Sequence, residues 1–428
     1  MKGLHLTDKR YLHSFSSSYY PDIQLYRFHQ FLHPLLFLVQ NMLSKLSIFP
    51  SPRRVIRLTI GTFFFLQGLC FSSWASRIPT IGHQLGLSHG KLGAVLFALP
   101  IGLITSLPLS GWLISRYGSR QVLIVSAILY ASFLPLIGLT AEAWQLMAML
   151  FLLGLSGNVS NIAMNTQAVH VEAWYGRSIM ASLHGLNSLA GFAGAAIGMY
   201  CVSLHLSPFV HFSLICALAY MSIAFLYRYV LPFKEKVKPA KPTFSFALPE
   251  GRLTLLGLIV FCGMVCEGTL FDWSGIYFME VVKAPVDLTS VGYLAFMYAM
   301  AFGRFVGDWL SSRFGTKQVI RVNGLLIGIG LTTAIVLPYV STATVGFLLA
   351  GAGVSTIVPL IYGSIGKQTN GTASNALAAV ASMGYIGFLL GPPIIGMLAE
   401  IINLQWAFAF VALLGMLAAV LISKVKFE

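Results

Sequence analysis

Two carboxylates, Glu267 and Asp272, stand inside the apolar stretch "FCGMVCEGTLFDW" at 261–273, in a chain with only 13 Asp and Glu. An ionisable side chain at the centre of a membrane costs about 2.5–3.5 kcal/mol or more, which makes it a candidate for work on a solute, a proton or a partner side chain. Five residues advance about 140° around a helix, so the two acids do not share a face and have different tasks. The balance between the charged and neutral forms of a buried carboxylate can be tipped by an opposite charge or a bound polar solute, as proton coupling requires. Glu267, about halfway along its run, is the candidate for that role, against a structural Glu hydrogen-bonded to a neighbouring helix. Asp272, nearer the boundary and beside Trp273, reads as a packing or gating residue.

Other polar side chains recur in apolar runs. Asn158, Asn161 and Asn165 fall within an arc of about 60° on a helix. Such a stripe must face protein or water, because lipid offers it no partner. Its amides suit solute hydroxyls equally with helix–helix hydrogen bonds. His184 is a second candidate for the proton path, against a plainly hydrogen-bonded histidine. Arg304 and Asp308 are four apart and face the same way, which predicts a local ion pair; the alternative is that Arg304 reaches into a cavity to hold Glu267 or an anionic solute. Arg77 is expected to snorkel to the interface or to form an outer gate.

The elements that position these groups follow from composition. Of the 428 residues 57% are hydrophobic and 9% charged, with mean hydropathy +0.80; a soluble domain carries roughly 25% charged residues. Apolar runs of about 20 residues, enough to cross a hydrocarbon core, recur twelve times between 58 and 423. This is an all-α polytopic membrane protein. The net charge of +14 reports topology: only Arg77, Lys91 and Lys283 lie in the alternate loops, Arg304 lies in a span, and every other Lys and Arg lies on the side of the termini. The positive-inside rule then puts both termini in the cytoplasm, and the basic charge implies contact with membrane lipid and no nucleic acid. The five cysteines lie within spans at spacings that suggest neither a disulfide framework nor a metal site.

Residues 1–50 differ in composition and read as a poorly structured or mis-assigned extension, with Met42 as an alternative start. The Pro- and Lys-rich segment 231–252 is the expected cytoplasmic linker between a six-helix half at 51–230 and another at 253–428. The halves repeat each other: "SGWLISRYGSRQVLIV" at 110–125 matches "VGDWLSSRFGTKQVIRV" at 306–322, and "FLLGLSGNVSNI" at 151–162 matches "FLLAGAGVSTIV" at 347–358. Two homologous halves predict a transporter with its solute site between them near the midplane.

The repeated motif resembles the signature G-x-L-x-D-R-x-G-R that links the second and third helices of the major facilitator superfamily. Gly111, Leu113, Arg116, Gly118 and Arg120 carry the first copy; Leu310, Arg313, Gly315 and Lys317 carry the second, with Asp308 close by. The resemblance implies twelve transmembrane helices in two pseudo-symmetric halves, with this motif as a gate. The signature's acid is replaced by Ser115 and Ser312, so its carboxylate latch does not carry over. "SSWASRIP", "LHGLNSLAG", "CEGTLFDW", "GRFVGDW" and "GYIGFLLGPP" look like the fucose-permease-like branch over about residues 57–423. That resemblance implies a permease of the bacterial inner membrane and a cavity lined by Gln67, Trp74, Asn187 and Tyr385, together with the asparagines, His184 and Arg304. The acids of the sugar–proton symporters in that branch align with Asn161 and near Ala75, and neither is present here.

No Walker lysine loop, metal-spaced His/Cys set or serine elbow occurs, so an enzyme is not expected, nor are a metal or cofactor. The reading is a monomeric secondary transporter of a small polar solute, sugar-like or another metabolite, coupled to protons by alternating access. Its alternatives are an exporter of amphipathic compounds and a transporter-like membrane sensor.

Overall fold

Hydrocarbon offers backbone N–H and C=O groups no partner, so a chain this apolar must satisfy them within helices. The computed structural model describes residues 53–175, 179–232, 251–367 and 373–425; the 1–50 extension and most of the 231–252 linker lie outside them. Among the described residues twelve helical spans are long and apolar enough to cross a membrane: Arg54–Ala75, His89–Tyr117, Ser119–Ile137, Ala143–Trp174, Ser182–Ser203, Pro208–Tyr229, Arg252–Glu280, Val286–Phe314, Thr316–Val336, Val340–Ile365, Ala379–Ile401 and Leu404–Lys424. They are called the first to twelfth spans below. Alternating direction gives the bundle a near face, with Arg53 and Val425, and a far face, with His89, Glu280 and Glu400.

Two spans are broken just before a proline that explains the break. The second pauses at Phe97 and the tenth at Ser355 and Thr356. Pro100 and Pro359 lie just beyond, and each lacks the N–H that would bond the carbonyl four residues back. Glycine sets the closest approaches. A Cβ on Gly102 would stand 2.0 Å from the Phe151 carbonyl oxygen, and one on Gly154 would stand 2.0 Å from that of Leu99. The second and fourth spans therefore touch backbone to backbone.

The pairings obey a pseudo-twofold rule. The first span packs on the fifth as the seventh packs on the eleventh; the second packs on the fourth as the eighth packs on the tenth; the third packs on the sixth as the ninth packs on the twelfth. These are two six-helix halves. They meet where the second span crosses the eleventh and the fifth crosses the eighth.

The repeated motif has one backbone solution used twice. Gly118 has φ 85° and ψ 149°, and Gly315 has φ 82° and ψ 143°. This region disfavours any side chain, and at both positions it turns the chain abruptly from one span into the next. Arg120 Nη2 then donates to the Tyr227 carbonyl at 3.2 Å, and Lys317 Nζ donates to the Val425 carbonyl at 2.8 Å. In each half a cation thus meets the negative end of the last span.

Candidate functional site

A cavity of about 270 Å³ lies between the halves, walled by the first, third, fourth, fifth, seventh and eighth spans. Arg304, on the eighth span, reaches it with two occupied arms. Nη2 meets Glu267 Oε1 at 3.0 Å, and Nη1 donates to Ser188 Oγ at 3.2 Å. The guanidinium side chain is 36% exposed and that of Glu267 is 12% exposed. The predicted local pair with Asp308 is not the one formed. Asp308 sits one turn along and is exposed, where water competes for its charge, while the half-desolvated Arg304 turns to the nearest interior carboxylate.

Gln67, Asn161, His184 and Asn187 line the same cavity. Gln67 Nε2 donates to the Gly157 carbonyl at 3.1 Å, and Asn187 Nδ2 donates to that of Phe64 at 3.0 Å. Each amide is therefore fixed by its nitrogen. The His184 ring meets Phe64 edge-on, with centroids 5.1 Å apart.

The other sequence candidates lie elsewhere. Asn158 donates to Ser106 Oγ at 2.7 Å and to the Leu103 carbonyl at 3.2 Å, so it fastens the fourth span to the second while lining a smaller adjoining space. Asn165 donates to Asn161 Oδ1 at 2.8 Å and does not line the cavity. Trp74 is fully buried in the core, and Tyr385 is half exposed; neither lines the cavity. A single helix face cannot bring all three asparagines to one solute when a neighbouring hydroxyl claims the first.

Sequence reasoning missed Phe64, Phe71, Tyr130, Ser188, Phe271 and the methionines 164, 297 and 300. Spacing held some of the signal. Phe64 and Phe71 lie three before and four after Gln67, and Ser188 is four after His184, so each pair shares a helix face. Phe71 and Phe271, from opposite halves, meet edge-on with centroids 5.3 Å apart.

Between the cavity and the far face the halves are held together. Ser72 Oγ and Tyr293 Oη are 3.0 Å apart, Ser290 Oγ donates to the Ser76 carbonyl at 3.3 Å, and His89 Nε2 meets Glu280 Oε2 at 2.7 Å. Gly90 N donates to Glu400 Oε2 at 3.1 Å. Trp273, beside Asp272, is fully buried and lies 6.2 Å from the His89 ring.

Arg77 does not snorkel. It is 2% exposed, donates to His211 Nδ1 at 3.3 Å and to the Leu206 carbonyl at 2.9 Å, and so ties the end of the first span to the start of the sixth. Burial lowers its guanidinium pKa, and the neighbouring Cys201 opposes that shift. In the repeated motif Arg116 and Arg313 are exposed, and a Cβ on Gly111 would meet nothing within 4 Å.

Twelve apolar spans in two pseudo-symmetric halves around a polar cavity define a multi-pass membrane transporter fold. The chain belongs to the Major Facilitator Superfamily, which it matches over residues 60–374 and 286–427. It is 32% identical over 352 residues to an uncharacterised MFS-type transporter of Yersinia pestis, covering 82% of this chain and 91% of that one. It is 28% identical over 376 residues to the membrane protein MosC of Rhizobium meliloti, covering 87% and 91%. Among solved structures the nucleoside transporter NupG superposes with TM-score 0.71 at 15% identity, covering 87% of this chain and 100% of that one, a likeness of fold.

Proposed function

We propose that this protein is a secondary active transporter that carries a small polar organic solute across the cytoplasmic membrane by alternating access, with proton coupling at Glu267. The observation that carries the reading is the Arg304–Glu267 pair at the cavity between the halves. A carboxylate held there by one cation can exchange that cation for a proton when the solute binds. The closed far face, with Arg304 still partly exposed, corresponds to one of the two end states that alternating access needs. The excess of Lys and Arg on the near face supports an orientation with both termini inside.

The test is flux. Thermal-shift screening of sugars and small metabolites identifies a ligand, since binding to the folded state raises apparent stability. Proteoliposomes holding the full chain should then accumulate that ligand in response to an imposed pH gradient. Glu267→Gln should abolish the response. Unchanged uptake with the same pH dependence in Glu267→Gln would remove Glu267 from the coupling role.

A further inference from the structure

Arg304 is the one permanent cation among the described residues that line the cavity, and its only carboxylate contact is a single oxygen of Glu267 at 3.0 Å. Its surroundings mix amides and an imidazole with flat apolar surface: Phe64, Phe71, Tyr130 and Phe271 supply rings, and three methionines supply adaptable surface. Gln67 and Asn187 each spend one amide N–H on a backbone carbonyl, which leaves a solute their carbonyl oxygens and one further N–H apiece.

We propose that the solute is a ring-bearing organic monocarboxylate whose carboxylate takes the place of Glu267 on Arg304, and that the displaced Glu267 takes up one proton. The proposal deepens the transport reading above and rests on it for the step that moves the bound acid across the membrane.

Charge balance decides among solutes. A cavity of low dielectric that holds one guanidinium balances one carboxylate and leaves a second uncompensated. Solute anion and ionised Glu267 therefore exclude each other, and protonation of Glu267 restores neutrality: one anion and one proton enter together, and no covalent bond other than the carboxyl O–H forms. A guanidinium presents parallel N–H donors that a free carboxylate can take in bidentate fashion, a geometry that the single-oxygen contact of Glu267 does not use. An uncharged sugar would leave the pair intact and would draw nothing from the charge of Arg304. A cationic solute would be repelled by Arg304, and a dianion would leave one charge unbalanced.

The probes are phenylacetate, mandelate and cyclohexanecarboxylate, each beside its primary amide, with gluconate and glucose as ringless and uncharged controls. Binding to the purified full chain is measured by calorimetry from pH 5.5 to 8.5. At least one ring acid should bind at least tenfold more tightly than its amide. Its apparent Kd should weaken by about tenfold per pH unit once Glu267 is ionised, the slope for uptake of one proton. Glu267→Gln, whose amide holds Arg304 less strongly, should bind the acid with no such slope. Arg304→Gln should lose the preference for acid over amide, with Arg304→Lys as the folded control that keeps the charge.

A panel in which no ring acid binds overturns the proposal, as do amides that bind as tightly as acids or a pH slope that persists in Glu267→Gln. The two readings fail separately. Proton-linked acid binding without flux in proteoliposomes defeats the transport reading and leaves this site standing; proton-driven flux of glucose or of an amide does the reverse.

Discussion

Lys317 Nζ and Arg120 Nη2 end their reach on equivalent carbonyls, those of Val425 and Tyr227, at 2.8 and 3.2 Å. The basic position of the repeated motif is therefore a brace between the third and sixth spans and between the ninth and twelfth. Arg120 is also nearly buried, and its Nε has no partner. Replacing either residue with Ala should lower stability by about 1 kcal/mol, the scale of a charged contact at a helix end. Arg120→Lys keeps the donor and removes the orphaned Nε, so it should be neutral or mildly stabilising. Thermal unfolding of the purified variants checks the ranking.

Gly118 and Gly315 sit at φ 85° and 82°, where a Cβ is strained. Gly118→Ala and Gly315→Ala should each cost about 1–2 kcal/mol. Gly111, in the same motif, is helical and faces open space, so Gly111→Ala should be neutral or gain up to about 1 kcal/mol. Equal losses at all three positions would mean that the motif's glycines serve packing instead of backbone shape.

The Arg304–Glu267 pair should show strong coupling in a double-mutant cycle. Removing one partner leaves a charge with poor solvation, whereas the Glu267→Gln/Arg304→Gln double variant leaves none. The coupling energy should be about 1–3 kcal/mol, read from the Tm values of the four proteins. An additive result would mean that the pair contributes little in the folded state.

The far-face closure runs through His89, Glu280, Gly93 and Gly396. A Cβ on Gly93 would stand 2.8 Å from the Pro392 carbonyl oxygen, and one on Gly396 would stand 2.6 Å from that of His89. Gly93→Val should wedge these spans apart and expose a Cys introduced at Ser72 to a thiol reagent several-fold faster than in the single Ser72→Cys protein. The five native cysteines are all buried, which keeps the background low. An unchanged labelling rate would show that this contact does not hold the far face shut.

The asparagine stripe divides by partner. Asn158→Ala should reduce stability by about 1–2 kcal/mol, since Ser106 loses its donor inside the bundle. Asn161→Ala, at the cavity, should change ligand affinity more than Tm. Ligand titration and thermal unfolding on the same two proteins separate the effects.

Much was legible in the linear chain because the constraints involved are local. A run of about 20 apolar residues can only be a helix across hydrocarbon, and a duplicated Gly–basic motif at matching offsets implies two halves. The special backbone of Gly118 and Gly315 is equally a property of a few consecutive atoms. Asn161 and His184 could be marked because an amide or imidazole in an apolar run stands out by type, and Gln67 and Asn187 because the family resemblance implied that their helices line the cavity.

Partnership was legible only as alternatives. Four-residue spacing favoured Asp308 for Arg304, and the fold took the other reading, Glu267 from another span. The snorkelling expected of Arg77 failed because His211 and the Leu206 carbonyl offered it a buried alternative, and the ring wall of the cavity was hidden because phenylalanines are unremarkable in a chain with 31 of them. Sequence alone determined the spans, their duplication and the kinds of polar group placed within them. Tertiary structure decided which of those groups meet, because a side chain's partner depends on the crossing of two spans, a relation that no spacing within one span contains.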